Sequence, residues 1–124
     1  MPGKKLLTKA EILQVQDIRA LDVEVPEWGG CVRINVMNGT ERERFEMWAQ
    51  SKVGPDGKSA DVSDVRATLL SLVLVDDKGE RMFEASDVKA ISGKNGAVLS
   101  RLADQAMRVN GLTKESAEEM RKNS

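Results

Sequence analysis

The stretch Leu21-Asp22-Val23-Glu24-Val25-Pro26-Glu27-Trp28-Gly29-Gly30-Cys31-Val32-Arg33-Ile34-Asn35-Val36 decides the fold class. Apolar and polar residues alternate on both sides of a Pro- and Gly-containing turn. A strand changes the side it faces at every residue, so each run sets its Val, Leu or Ile residues on one side. Two such runs around a tight turn predict a β-hairpin over about residues 20–37.

Away from the hairpin the pattern becomes helical. Thr8 and Glu11 have the spacing of a capping box, in which each side chain satisfies an orphan amide of the other. They predict a first helix through about Gln16. Asn38, Gly39 and Thr40 close the hairpin, and Thr40 with Glu43 forms a second capping pair ahead of the apolar stripe Phe45, Trp48 and Ala49. Residues 53–60, with Gly54, Pro55, Asp56 and Gly57, read as a loop. A helix restarting at Asp61 or Ser63 carries Val65, Leu69, Leu72 and Val73 inward. Leu70 and Leu74 make it apolar nearly all round, which marks it as the central helix. A strand over 71–75, turned by 76–79, is the competing reading, because short apolar runs fit either period.

Ser86 or Asp87 opens a short helix up to Ile91. Asn95 caps a longer one with Leu99, Leu102, Ala103 and Ala106 on one face, and Asn110 with Gly111 ends it. Thr113 starts a last polar helix over 114–122, with Ala117 and Met120 inside. The expected architecture is α+β and mainly α. One domain spans 1–124, its N-terminal hairpin packed on a small bundle of about four to five helices within about 40–122, with no repeat and no linker.

Composition narrows what such a domain can do. A chain of 124 residues fits a single domain. Aromatic residues make up only 3%, with no tyrosine, so the core is built from Leu, Val, Ala and Met. The net charge of −1 supplies no global field toward nucleic acid or an anionic membrane. Lys4 and Lys5 before Leu6 and Leu7 are too few for a signal peptide, and no apolar run approaches the ~20 residues of a membrane helix. The single Cys31 cannot form an intramolecular disulfide; it suits a reducing compartment and reads first as a small buried hydrophobe. The expected location is the cytoplasm.

Catalytic chemistry finds little to use. Histidine is absent, which removes the commonest general base and the usual zinc ligand. Glu41, Glu43 and Glu46 alternate with Arg42 and Arg44 and read as a solvated helix face. Gly57-Lys58-Ser59 resembles the end of a phosphate-binding loop, but Lys52 stands where its first glycine is required. Asp76-Asp77-Lys78-Gly79 is too short for a calcium loop and reads as a turn. Asn38-Gly39-Thr40 matches a glycosylation sequon, which its capping role explains. Residues 103–117 have the outline of a helix-turn-helix, yet the helix that would enter DNA carries Glu115, Glu118 and Glu119, which a phosphate backbone repels. No catalytic, cofactor-binding or metal-binding residue is assigned.

The order of motifs carries a resemblance. Glu24-Val25-Pro26-Glu27-Trp28-Gly29-Gly30 leads into Met37-Asn38-Gly39-Thr40-Glu41-Arg42-Glu43-Arg44-Phe45-Glu46. Asp64-Val65-Arg66-Ala67 opens a Leu-rich segment ending at Asp76. Gly79-Glu80-Arg81-Met82-Phe83 follows, then a helix ending Asn110-Gly111-Leu112. This series, over roughly residues 5–120, resembles the tail assembly chaperones of long-tailed double-stranded DNA bacteriophages.

The resemblance implies a non-enzymatic chaperone in the host bacterial cytoplasm, absent from the mature virion. It implies binding to the tape measure protein, handover to the tail tube protein, self-association into a homo-oligomer, and a longer form made by ribosomal frameshifting. Arg121-Lys122-Asn123 is compatible with a slippery heptamer in the coding sequence. A holdase needs exposed apolar surface, and the hairpin offers two edges with Trp28 at its turn. Trp28, Val23, Val25, Val32, Ile34 and Met37 are the candidate protein-binding residues. Folding of Trp28 back onto the core is the competing reading. Met37, Met47, Met82, Met107 and Met120 are either adaptable contact surface or core filler. A helix-turn-helix DNA-binding regulator and a structural tail or head-completion protein are the alternative functions; neither a nucleic acid nor a membrane is an expected partner.

Overall fold

The computed structural model describes residues 4–56 and 64–112. The helix expected over 114–122, the second half of the helix-turn-helix outline and the helix start expected at Asp61 or Ser63 lie outside those residues. In chain order the elements are α1 (Lys9–Gln14), β1 (Ala20–Val25), β2 (Gly30–Asn35), α2 (Gly39–Ser51), α3 (Val65–Val73), β3 (Leu74–Val75), α4 (Val88–Ser92) and α5 (Gly96–Val109). Two 3-10 turns, Pro26–Trp28 and Ala85–Asp87, join β1 to β2 and open α4. The fold is α+β as expected, and among the described residues the N-terminal hairpin is preceded by α1 and followed by the four helices α2 to α5.

The hairpin keeps the register that its alternation dictates. Leu21 lies opposite Ile34 and Val23 opposite Val32 on one face, while Asp22 lies opposite Arg33 on the other. The inner face meets the helices: Val25 and Ile34 are fully buried with Leu69, Leu70, Val73, Val98 and Leu102. On the outer face Arg33 donates to both carboxylate oxygens of Asp22, at 2.7 and 3.0 Å. The pair lowers the pKa of Asp22 through the hydrogen bonds from Arg33.

The run 71–75 realises parts of both readings. Helix α3 is the central one, with Ala67, Leu69, Leu70, Ser71, Leu72 and Val73 buried. Leu74 then turns to extended geometry, and β3 pairs antiparallel with β2, Arg33 against Val75 and Ile34 against Leu74. The sheet order is therefore β1-β2-β3. A buried strand edge must find partners for its amides, and β2 finds them here. Of the hairpin's two expected free edges only that of β1 remains, among the described residues.

Cap assignments shift by small amounts. The Thr8–Glu11 box forms as expected, but α1 ends at Gln14 rather than Gln16. The second box belongs to Asn38 and Glu41, not Thr40 and Glu43: Glu41 N–H donates to Asn38 Oδ1, and Asn38 N–H to Glu41 Oε1, both at 2.9 Å. Both pairs have the required spacing and Asn caps at least as well as Thr. The buried Met37 immediately before Asn38 fixes where α2 starts. Asp64 precedes α3 with a positive φ of 62° and no capping bond of its own; its carboxylate instead accepts from Lys89 and Ser92, both at 2.6 Å.

Helix α5 matches its sequence pattern closely. Asn95 Oδ1 accepts from Ala97 and Val98 N–H, and Val98, Leu99, Leu102, Ala103 and Ala106 are buried. Its end is a Schellman motif: Gly111 takes φ +66°, Gly111 N–H donates to Arg108 O and Leu112 N–H to Met107 O. Asn110 does more than end the helix. Its buried Oδ1 accepts from Met37 N–H at 2.7 Å, its Nδ2 donates to Ala106 O, and its backbone carbonyl accepts from Arg42 at 2.8 Å. One amide side chain thus joins the hairpin exit to α5, with α2 attached through its backbone.

Candidate functional site

The turn carrying Trp28 is built to hold a side chain outward. Pro26 at the first position of the 3-10 turn presets its φ, and Gly29 closes it at φ +77°, donating its N–H to Pro26 O at 3.1 Å. Glu27 accepts two hydrogen bonds from Arg101 of α5, both at 2.9 Å. That guanidinium, with the residue's own backbone, lowers the Glu27 pKa from 4.5 to about 2. Trp28 is left 40% exposed, more open than the core-folded reading and more covered than a free surface ring.

Trp28 stands between two apolar hollows. One, about 280 Å³, has Leu70, Leu74, Ile91 and Leu99 among its lining residues. The other, about 440 Å³, reaches over Val32, Val75 and Met82. Trp28, Leu74 and Phe83 line both. A third hollow of about 860 Å³ between α2 and α4 also ends at Met82 and Phe83, but Arg44, Lys52, Asp64, Arg81 and Glu84 give it a more polar lining than the other two. Phe83 is therefore the residue that sequence reasoning missed, while Met82, read as either contact surface or core filler, is exposed. Their place is fixed by a turn in which Asp76 Oδ1 accepts from both Lys78 and Glu80 N–H at 2.9 Å, with Gly79 at φ +81°. Met82 N–H then donates to Leu74 O, extending β3 by one bond. The sequence signal was an apolar Met-Phe pair just beyond a turn, too short for any periodicity.

The six expected binding residues separate into three groups. Trp28 is at the surface, Val23 and Val32 are partly buried against the core, and Val25, Ile34 and Met37 belong to the core. The alternation that places them on one face is the reason: that face packs on the helices. The methionines divide likewise, with Met37 in the core, Met107 packed against it, and Met47 and Met82 exposed; Met120 lies outside the described residues. Cys31, expected to be buried, is exposed, because it shares the outer face with Asp22 and Arg33. Trp48, by contrast, is engaged: it stacks on the buried Phe45 at 6.1 Å and carries Lys52 over its ring.

No helix among the described residues is long and apolar enough to cross a membrane. The arrangement is one of apolar hollows around an anchored aromatic turn, suited to gripping another polypeptide. Family comparison agrees with the motif order. The model of the phage tail assembly chaperone family matches residues 7–123, and the chain belongs to that family. Among solved structures it is similar to the bacteriophage HK97 tail assembly chaperone, with 26% identity and a TM-score of 0.56 over 73% of this chain and 84% of that one. None of the curated proteins matches.

Proposed function

We propose that this tail assembly chaperone binds the tape measure protein and holds it for polymerisation of the tail tube, acting in the host cytoplasm and leaving before the virion matures. The observation that carries the reading is the apolar hollow lined by Trp28, Met82 and Phe83, beside a turn that the Glu27–Arg101 pair ties to α5. A long helical client presents repeated apolar side chains, and such hollows accept them without demanding a fixed sequence. Trp28 is the anchor, with Val32 lining the same hollow; Val23 is partly buried against the core, and Val25, Ile34 and Met37 belong to the core itself. The tail tube protein, a homo-oligomer and a frameshifted longer form complete the proposed set of partners.

Co-expression with the tape measure protein encoded in the same genome tests this. The client should become soluble and co-purify with the wild-type chain. Trp28→Ala should reduce capture roughly tenfold or more, the order seen for an aromatic hot spot, with an unchanged circular dichroism spectrum. A well-folded chaperone that leaves the client insoluble and unbound would overturn the assignment.

A further inference from the structure

The more polar hollow, between α2 and α4, adjoins the apolar one beside Trp28 but differs from it in charge. A spacing of four sets Arg44, Trp48 and Lys52 in one row along α2, with Lys52 at its C-terminal cap. All three line the hollow, and Arg81 joins them from the segment beyond β3. The carboxylates of the same hollow are already engaged. Asp64 accepts from Lys89 and Ser92, and Glu84 and Asp87 each accept a backbone N–H of the other. The cations are not engaged in this way. Among the described residues Arg44 and Lys52 stand in no salt bridge. Arg81 donates only to the carbonyls of Ser71 and Phe83, at 3.5 and 3.3 Å. Lys52 lies 5.6 Å from the centre of the Trp48 ring and acts on Asp64 only at a distance.

We propose that this hollow takes the acidic stretch of a helical partner whose apolar stretch lies over Trp28, Met82 and Phe83. Carboxylates on one face of such a helix would supply Arg44, Lys52 and Arg81 with the charge-assisted hydrogen bonds they lack. Trp48, Leu72 and Val88 line the same hollow, so the segment carries apolar side chains among its acids. Met82 and Phe83 line both hollows, which lets one continuous helix cross from the first to the second. The inference rests on the client reading above and adds the client's charge to it: apolar residues followed along the helix by Asp or Glu. Nucleic acid fits less well, because its unbroken row of phosphates would also meet Asp64, Glu84 and Asp87.

A synthetic amphipathic helix, an apolar stripe followed by glutamates on the same face, is the probe. Titration calorimetry on the full chain compares it with the same peptide carrying lysines in place of the glutamates. Wild type should bind the glutamate peptide at least about tenfold more tightly at low salt, and the margin should shrink as salt is added. Arg44→Glu with Lys52→Glu should reverse the preference, which no purely structural role of these residues would do. Arg44→Gln with Lys52→Gln should erase it, and serves where charge reversal upsets the fold. Equal binding of the two peptides by wild type, a preference that survives both double variants, or tighter binding of a duplex oligonucleotide than of the glutamate peptide would each overturn the proposal. Capture of the tape measure protein is scored separately. A charge preference without capture would remove the tape measure protein as client and leave the acidic site standing. Capture that depends on Trp28 but not on Arg44 and Lys52 would remove the acidic site alone.

Discussion

Helices α1 and α5 begin alike and end in different surroundings. Each opens on a polar cap that its sequence announces, Thr8 for one and Asn95 for the other. Each carries apolar residues at helical spacing. Yet α5 buries five of its side chains against α3 and the sheet, while α1 buries none. Capping and periodicity therefore specify that a helix forms and which stripe is apolar. They do not specify whether that stripe meets the domain's own core or is left for another chain. The same contrast separates Trp48, stacked on Phe45, from Trp28, held outward by its turn.

The largest expected effect sharpens the contrast between the helices. Leu102→Ala removes a fully buried side chain and should lower stability by about 2–5 kcal/mol, as cavity-forming core substitutions do. Leu13→Ala on the exposed face of α1 should leave the unfolding of the single chain within about 0.5 kcal/mol. Denaturant titrations of the two variants at low concentration measure both. A destabilised Leu13→Ala monomer would show that α1 packs on its own domain after all.

The next effect probes the tether at the end of α5. Asn110→Ala leaves Met37 N–H without its acceptor in a buried place, which should cost about 1–3 kcal/mol. Amide exchange at Met37 should accelerate with it, while exchange in α1 stays unchanged. Equal effects in both regions would mean that the tether is not local.

The smallest effect is a pH dependence. Glu27 has a pKa lowered to about 2 in the folded chain against the ordinary 4.5. A depressed carboxylate contributes stability above its unfolded pKa and loses it as the pH falls through the folded value. The contribution of the Glu27–Arg101 pair should therefore be complete above about pH 4.5 and fade toward about pH 2. Glu27→Gln should show a shallower loss of thermal midpoint across that window. Curves that coincide would mean that the turn is held without the charge.

Much of the fold could be read from residue spacing, because alternation and caps are local properties. The hairpin, the Asn95 cap and the apolar face of α5 follow from residues within a few positions of one another. Other features depend on distant partners. The end of α3 becomes a strand because β2 offers an open edge, and Asn110 tethers the hairpin exit to the end of α5 because Met37 comes to lie beside it. Cys31 is exposed because the helices pack on the opposite face of its strand. Of the candidate site, Trp28 was legible as an aromatic at a turn. Met82 was legible only as a methionine that could serve surface or core, and Phe83 was not legible, since only the pairing of their segment with β3 brings them beside Trp28.

The sequence by itself determined the local conformations and the order of motifs that marks the chaperone family, since both reside in short-range spacing and residue type. Tertiary structure decided which apolar faces are closed. It buried Val25, Ile34 and Met37, left Trp28 and Met82 open and, among the described residues, buried no side chain of α1. The physical reason is that burial depends on which surfaces the folded chain brings together, and a helix stripe or strand face has the same pattern whether its partner is its own core or another molecule.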